Sequence, residues 1–351
     1  MTASGASLPA AELIARAVRD EVMPGAVLAA GRHDAEPLLL HVAGDAQRDA
    51  AATRPMTADT VFDLASLTKV VATLPSVLYL VGRAEIGLDD PVRRYLPAFG
   101  PGKDEVTVRQ LLLHSSGLPD QRRYYQWLRE AADVRAAALA EPLVGAPGTL
   151  VRYSDVGFIT LGELVEAVAG CGLDEFVQDV VCAPLGLTAT RFRPPPRWAD
   201  RIAATETVDG VTKVGVVHDE NAEVLGGVAG HAGLFSTAAD LARYAAAWAG
   251  DFSPMDGLRA EALRCQTEGL GGRRGLGWGL RHDRWDNMGD GWPEPGAGHT
   301  GFTGTSLSID PDSGLWAVLL TNAVHFGRGP EHSVVGLRKA VHAAVAAELL
   351  G

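Results

Sequence analysis

Apolar residues along the 351-residue chain follow two different periods, and each period dominates a different stretch. Residues 8–23 place Leu13, Ile14, Ala17 and Val18 on one side of a 3.6-residue repeat, which predicts an amphipathic helix. "GAVLAAGR" and "LLLHVAGDA" then read as two strands joined by the turn-rich "HDAEP". The polar "TADT" at 57–60 leads into "VFDLASLTKVVATLPSVLYLVGR", where Leu67, Val70, Val71, Leu74 and Leu78 recur at helical steps from Ser66 onward. Residues 106–120 predict a short helix stopped by a Ser-Gly-Leu-Pro turn. Residues 153–170 predict an amphipathic helix ended at Gly170, and "LDEFVQDVVCAPLGL" predicts another. Residues 236–248 open on an N-cap at Ser236 or Thr237, with Asp240 in the capping-box position. After about residue 265 the period shortens. "RGLGWGLR", "GAGHTGFTGTSLSIDP" and "GLWAVLLTNAV" have strand character, and "GLRKAVHAAVAAELLG" closes the chain as a helix.

Strands therefore sit at both ends and helices fill the middle. The economical arrangement is of the α/β (α+β) class, with a sheet domain built from residues 1–60 and 266–351. A mostly helical domain of residues 61–265 is inserted into it, with the site expected between the two. No internal repeat interrupts this plan.

Composition narrows the function. Hydrophobic residues make up 47% of the chain, enough for a sizeable core. A net charge of −12 without a basic stripe argues against nucleic acid as a partner. The first residues show no basic leader followed by an apolar run. No apolar stretch reaches the ~18 residues a membrane span needs, and "WAVLLTNAV" reads as a buried strand. The expectation is a cytoplasmic protein with no membrane partner. Cys171, Cys182 and Cys265 lie far apart, as reduced, buried packing residues would.

Only four of the 31 basic side chains are lysine, and one of them, Lys69, follows Ser66 by three residues. At i, i+3 on a helix the two share a face. An amine beside a serine hydroxyl can act as its base or hold it in a hydrogen-bond network, although S-x-x-K also arises by chance about once in a chain of this size. "RYSDVGF" sets Tyr153 at a helix start, with Ser154 or Asp155 as its cap. "GHTGFTGTSLSIDP" sets His299, Thr300 and Gly301 before a strand. Singly these are a packing tyrosine and a turn histidine. Between 217 and 237 lies "VHDENAEVLGGVAGHAGLFST", which concentrates His218, Asp219, Glu220, Asn221 and His231. That cluster could hold a metal, recognise a polar substrate or form a buried network. His114 in "LLLHSSG" reads as structural.

S-x-x-K, Y-S-D and H-T-G in this order resemble the serine β-lactamase and penicillin-binding protein superfamily, over about residues 10–350. "LLLHSSGLP", "CAPLGLTATRF", "GLFSTAADLARY" and "LLTNAVH" carry the likeness further, toward the class C β-lactamase-related branch. The 217–237 segment resembles the penicillin-binding protein 4B-like carboxypeptidases and amidases. The resemblance implies an antiparallel sheet flanked by terminal helices, and an acyl-serine hydrolase acting on a peptidoglycan fragment or D-amino-acid peptide. It implies Ser66 as nucleophile and Lys69 with Tyr153 as the proton-handling pair. The backbone N–H groups of Ser66 and Phe302 would form the oxyanion hole. Asp155, His299, Thr300, Gly301, His218, Asp219, Asn221 and Asn322 would meet the substrate, a small molecule or short peptide. His299 stands where many relatives have lysine, a known variant; Asp155 stands where class C enzymes have asparagine and offers no amide N–H, so efficient β-lactam hydrolysis is not expected. No cofactor is implied and no metal; His218, Asp219, Glu220 and His231 are the residues that would hold one. A carboxylesterase or weak β-lactamase, a silent binding or sensor protein, and a metal-dependent hydrolase are the alternatives.

Overall fold

The computed structural model describes residues 9–250 and 257–351. The two ends of the chain meet in a seven-stranded antiparallel sheet. Its strands are β1 (Gly25–Arg32), β2 (Leu39–Arg48), β3 (Thr53–Pro55), β4 (Gly279–Leu280), β5 (Ala297–Thr300), β6 (Ser306–Ile309) and β7 (Leu315–Thr321). They lie in the order β3-β2-β1-β7-β6-β5-β4. β1 pairs with β7, with Val27 opposite Leu320 and Ala29 opposite Val318. Side chains alternate along a strand, so both faces need cover. Ala26, Leu28, Ala317 and Leu319 face a core made with Ile14 and Val345. Val27, Ala29, Val318 and Leu320 face the larger core, with Leu241 and Trp248. Four of the helices are α1 (Ala10–Arg19), α2 (Asp155–Ala169), α3 (Ala238–Ala249) and α4 (Val335–Leu350).

The apolar repeat after Ser66 is the centre of the larger core, where Val70, Val71, Leu74 and Leu78 are fully buried. The helical run Ala65–Gly82 is 18 residues long with mean hydropathy 1.4, so the sequence does hold one stretch of membrane-spanning length. It is 78% buried inside the protein. The run is also not one α-helix as its period predicts. It opens as a 3₁₀ turn at Ala65–Leu67, widens to a π turn at Lys69–Thr73, and becomes α only at Leu74–Gly82.

Capping chemistry matches the sequence at several ends. Ser154 caps α2 through a bond from the Gly157 N–H (3.0 Å), and Gly170 ends it in the left-handed conformation at φ 71°. Thr237 caps α3, accepting from the Asp240 N–H at 3.3 Å. Asp240 closes no capping box. Its carboxylate instead accepts from Ala189 N–H and the Thr190 hydroxyl, both at 2.8 Å. His299 and Thr300 precede β6, as expected, and themselves end the neighbouring strand β5. All three cysteines are free, but Cys182 alone is buried, Cys171 and Cys265 being partly exposed.

Candidate active site

The segment before Ser66 is fixed from both sides. Phe62–Asp63 pairs with Leu234–Ser236 in a small separate sheet. The chain then turns through Ala65 at φ 45°, a left-handed conformation that costs a residue with a β-carbon ~1 kcal/mol or more. Asp63 holds that turn. Its carboxylate, 2% exposed, accepts from the Ala65 N–H at 2.8 Å and from the His218 N–H at 2.6 Å. Burial raises its pKa against the pull of those two donors. Sequence reasoning did not single out Asp63, although it lies in the same short motif as Ser66.

Lys69 is wholly buried beneath Ser66. Its ammonium donates to Ser66 Oγ at 2.9 Å and to the His231 carbonyl at 3.0 Å. Asp155 Oδ1 stands 2.8 Å away as an ion pair whose angles fall outside hydrogen-bond geometry. The nitrogen lies 5.0 Å from the centre of the Tyr153 ring. Burial pulls the Lys69 pKa down, but the charges of Asp155 and Tyr153 outweigh it and leave the group above its ordinary value. Lys69 is thus an ammonium at neutral pH.

Tyr153 precedes α2 and does not belong to it. Its ring packs on His114 with centroids 4.5 Å apart, and His114 Nδ1 accepts from the Ser154 N–H at 3.0 Å. His114 is therefore unprotonated at Nδ1, and burial with the nearby cations of Arg274 and Lys69 depresses its pKa. This is the structural role its sequence context suggested.

The opposite wall is the end of β5 and the turn after it. Thr303 and Thr305 donate their hydroxyls to the Asp63 and Leu64 carbonyls at 2.7 and 3.1 Å, stitching this turn to the one that carries Ser66. A β-carbon at Gly301 would stand 2.3 Å from the Leu64 carbonyl oxygen, so only glycine permits the approach. The Phe302 N–H has no acceptor among the described residues, while its side chain is 61% exposed. His299 donates from Nδ1 to the Thr300 carbonyl at 2.9 Å, which leaves Nε2 the unprotonated nitrogen. Burial, then Lys69 and Arg274, push its pKa well below the usual imidazole value. The fixed positive charge here is Arg338 on α4. It is 8% exposed, donates to the Gly301 carbonyl at 2.5 Å, and pairs with no carboxylate among the described residues. Burial lowers its pKa only to about 10, so it stays charged. Nothing in the sequence of α4 marks it out.

These walls enclose a cavity of about 760 Å³ lined by Ser66, Tyr153, His299, Thr300, Gly301 and Phe302, with several arginines around them. Five expected substrate contacts lie elsewhere. Asp155 is turned away toward Lys69. His218 stacks on Phe302 with centroids 5.7 Å apart and contacts Glu206 at 3.2 Å. Asp219 caps a short helix, accepting from the Ala222 N–H, and meets His231 Nε2 at 2.9 Å. Asn221 bonds the backbone of Arg122 and Tyr125, and Asn322 that of Gly25 and Ala46. Polar side chains this buried spend their hydrogen bonds on the backbone that surrounds them. The candidate metal ligands do not converge either. Glu220 accepts from Arg328 at 2.7 Å, while His218 and His231 have different acidic partners. Among the described residues no group of three or more His, Cys, Asp or Glu is arranged to hold a metal ion. The 217–231 segment is instead a strap, bonding Lys69 through the His231 carbonyl, Asp63 through the His218 N–H, and Phe302 through the His218 ring.

A family model described as Beta-lactamase matches residues 10–337. A putative D-alanyl-D-alanine carboxypeptidase of Escherichia coli (strain K12) is 33% identical over 305 residues, covering 77% of this chain and 70% of that protein. An N-acetylmuramyl-L-alanine amidase of Bacillus subtilis (strain 168) is 35% identical over 306 residues, covering 76% and 68%. Among solved structures, a class C β-lactamase from Rhodobacter sphaeroides superposes with TM-score 0.76 at 20% identity, over 97% of this chain and 99% of that one. At that identity the superposition speaks for the fold alone. The family match and these relatives show that this chain belongs to the β-lactamase family, within the superfamily of serine β-lactamases and penicillin-binding proteins.

Proposed function

We propose that the protein is a serine hydrolase that cleaves an amide or ester through an acyl intermediate on Ser66. The observation that carries this is the 2.9 Å bond from a buried Lys69 to a Ser66 hydroxyl that opens onto the cavity. Because Lys69 is an ammonium, it is not the resting acceptor of the serine proton. The acceptor in this reading is the Tyr153 oxygen, with Lys69 beside it stabilising the phenolate. Ser66 Oγ bonds to the carbonyl carbon, and the carbonyl oxygen takes the negative charge. The Ser66 and Phe302 N–H groups receive that charge, each such donor contributing about 3 kcal/mol to the transition state in well-studied acyl transfer. As the bond to the leaving nitrogen or oxygen breaks, the proton held by Tyr153 passes to it. Water then releases the acyl group.

The relatives' names and the charge at Arg338 support a peptide or amide substrate with a carboxylate near the scissile bond, of the peptidoglycan-fragment or D-amino-acid type. Asp155 is paired with Lys69 and offers no amide N–H to a substrate, so β-lactams are expected to acylate slowly. The test is turnover of p-nitrophenyl butyrate by the wild type and by Ser66→Ala. Loss of at least a thousandfold in kcat is expected from the variant. Equal turnover by both would remove Ser66 from the chemistry.

A further inference from the structure

Five arginines line the cavity, and their pairing is uneven. Arg274 is paired with Asp283 at 3.1 Å, and Arg328 with Glu206 and Glu220. Arg338 donates to the Gly301 carbonyl and is the cation that the proposed function assigns to the carboxylate near the scissile bond. Arg152 and Arg284 remain, both on the Tyr153 side, and neither meets a carboxylate among the described residues. Arg152 is the residue before Tyr153. Arg284 is held in place: its guanidinium lies 3.7 Å over the Trp285 ring and donates to the Val151 carbonyl at 3.2 Å. Trp285 in turn packs on Tyr153 with centroids 6.1 Å apart, and Arg274 braces the same ring at 4.8 Å. A guanidinium has five N–H donors in a planar fork, and these contacts occupy few of them. Among the described residues the one carboxylate lining the cavity is Asp120, which is exposed. In a protein of net charge −12, two cations left without acidic partners beside the candidate site are a local reversal of sign.

We propose that Arg152 and Arg284, with Trp285 as an apolar floor, form a second anion subsite. The substrate then carries an acidic group on the part that runs past Tyr153, separate from the carboxylate met by Arg338. This inference rests on the proposed serine hydrolase and names the class of substrate: an acidic amide or ester with two negative groups flanking the scissile carbonyl. The carboxylate at the outer subsite belongs to the acyl group or to the leaving group, and two substrate pairs separate these.

The acyl-side pair is p-nitrophenyl hemiglutarate against p-nitrophenyl butyrate. The leaving-group pair is 4-carboxyphenyl butyrate against 4-carbamoylphenyl butyrate. In one pair the wild type should favour the acidic ester by about tenfold or more in kcat/KM at low salt, and salt should erode the preference. Arg152→Ala/Arg284→Ala should cut it to the part that Arg338 alone supports. The ratio within a pair is what is read, so a general loss of activity cancels. Should the double variant misfold, Arg284→Gln at its exposed position gives the same ratio. A preference absent from both pairs, or one that the double variant leaves undiminished, overturns the subsite. Hydrolysis of the butyrate ester that persists in Ser66→Ala overturns the serine reading instead, and the two failures are thereby distinct.

Discussion

Lys69 is charged because its partners outweigh its burial, and that balance is testable residue by residue. Asp155→Asn removes the nearest negative charge while keeping the shape. Burial then dominates, and the Lys69 pKa falls. Ser66 reactivity should lose its alkaline limb at a pH lower by about one unit or more, read as the pH dependence of fluorophosphonate inactivation. An unshifted limb would show that Asp155 does not control Lys69. His299 calls for the opposite expectation. Its place in H-T-G suggests a group titrating near neutrality, but burial and two neighbouring cations hold it neutral. The kcat/KM profile should therefore show no limb near pH 6.5 that disappears in His299→Gln; such a limb would contradict the burial argument. Ser66, Lys69 and Tyr153 were legible in the sequence because each sits in a local motif of characteristic spacing. Asp63 and Arg338 were not. What makes them matter is a partner far away in the chain, His218 for one and Gly301 for the other.

At the scale of elements, the site is built where the 217–231 strap crosses the helical run behind Ser66. Gly230 marks the tightest point. A β-carbon there would lie 2.1 Å from the Phe158 carbonyl oxygen and 2.8 Å from the Gly162 N–H, both backbone atoms that cannot swing aside. The Gly230 carbonyl accepts from the Thr73 hydroxyl at 2.6 Å, and the next carbonyl accepts from Lys69. Gly230→Ala should displace that carbonyl and lower the Ser66 inactivation rate by at least tenfold, with about 1–3 kcal/mol lost from stability. Gly336, with nothing within 4 Å and inside α4, is the contrast: Gly336→Ala should be neutral or stabilising by about 0.5–1 kcal/mol. Equal effects at the two positions in thermal melts would sink the argument from close approach. The sequence placed most of these elements correctly, since caps and apolar periods are local. It held the strap's composition but not its role, because His218, Asp219 and Asn221 could as well have faced a ligand. The 3₁₀ and π turns around Ser66 were also invisible, since the apolar period there reads as a plain α-helix.

The whole molecule buries several imidazoles without charge, and that should govern its behaviour in acid. His342, fully buried, contacts the Ser306 hydroxyl at 3.0 Å, and burial with the Arg338 charge lowers its pKa to about 3. The unfolded chain binds this proton below about pH 6.5 and the native chain does not. The contribution is whole above 6.5 and is lost as pH falls toward 3, at about 1.4 kcal/mol per unit. Glu163, raised by burial to about 7, works in the opposite direction, its native form holding a proton that the unfolded chain releases above its ordinary value of 4.5. His342→Gln should therefore flatten the fall in stability between pH 6 and 4 by about one proton, measured by urea unfolding; an unchanged slope would contradict the neutral assignment. The plan of the sheet was legible at this scale because strand-like segments lie at both ends of the chain, whereas the cavity's charge was not, since its arginines come from three separate stretches, at 152, 274–284 and 328–338. The claim on which the rest depends is covalent, and intact-mass spectrometry after treatment with a fluorophosphonate tests it most directly. The account predicts a single phosphonyl adduct that maps to Ser66 and is absent from Ser66→Ala; an adduct of the same mass that persists in Ser66→Ala would contradict it.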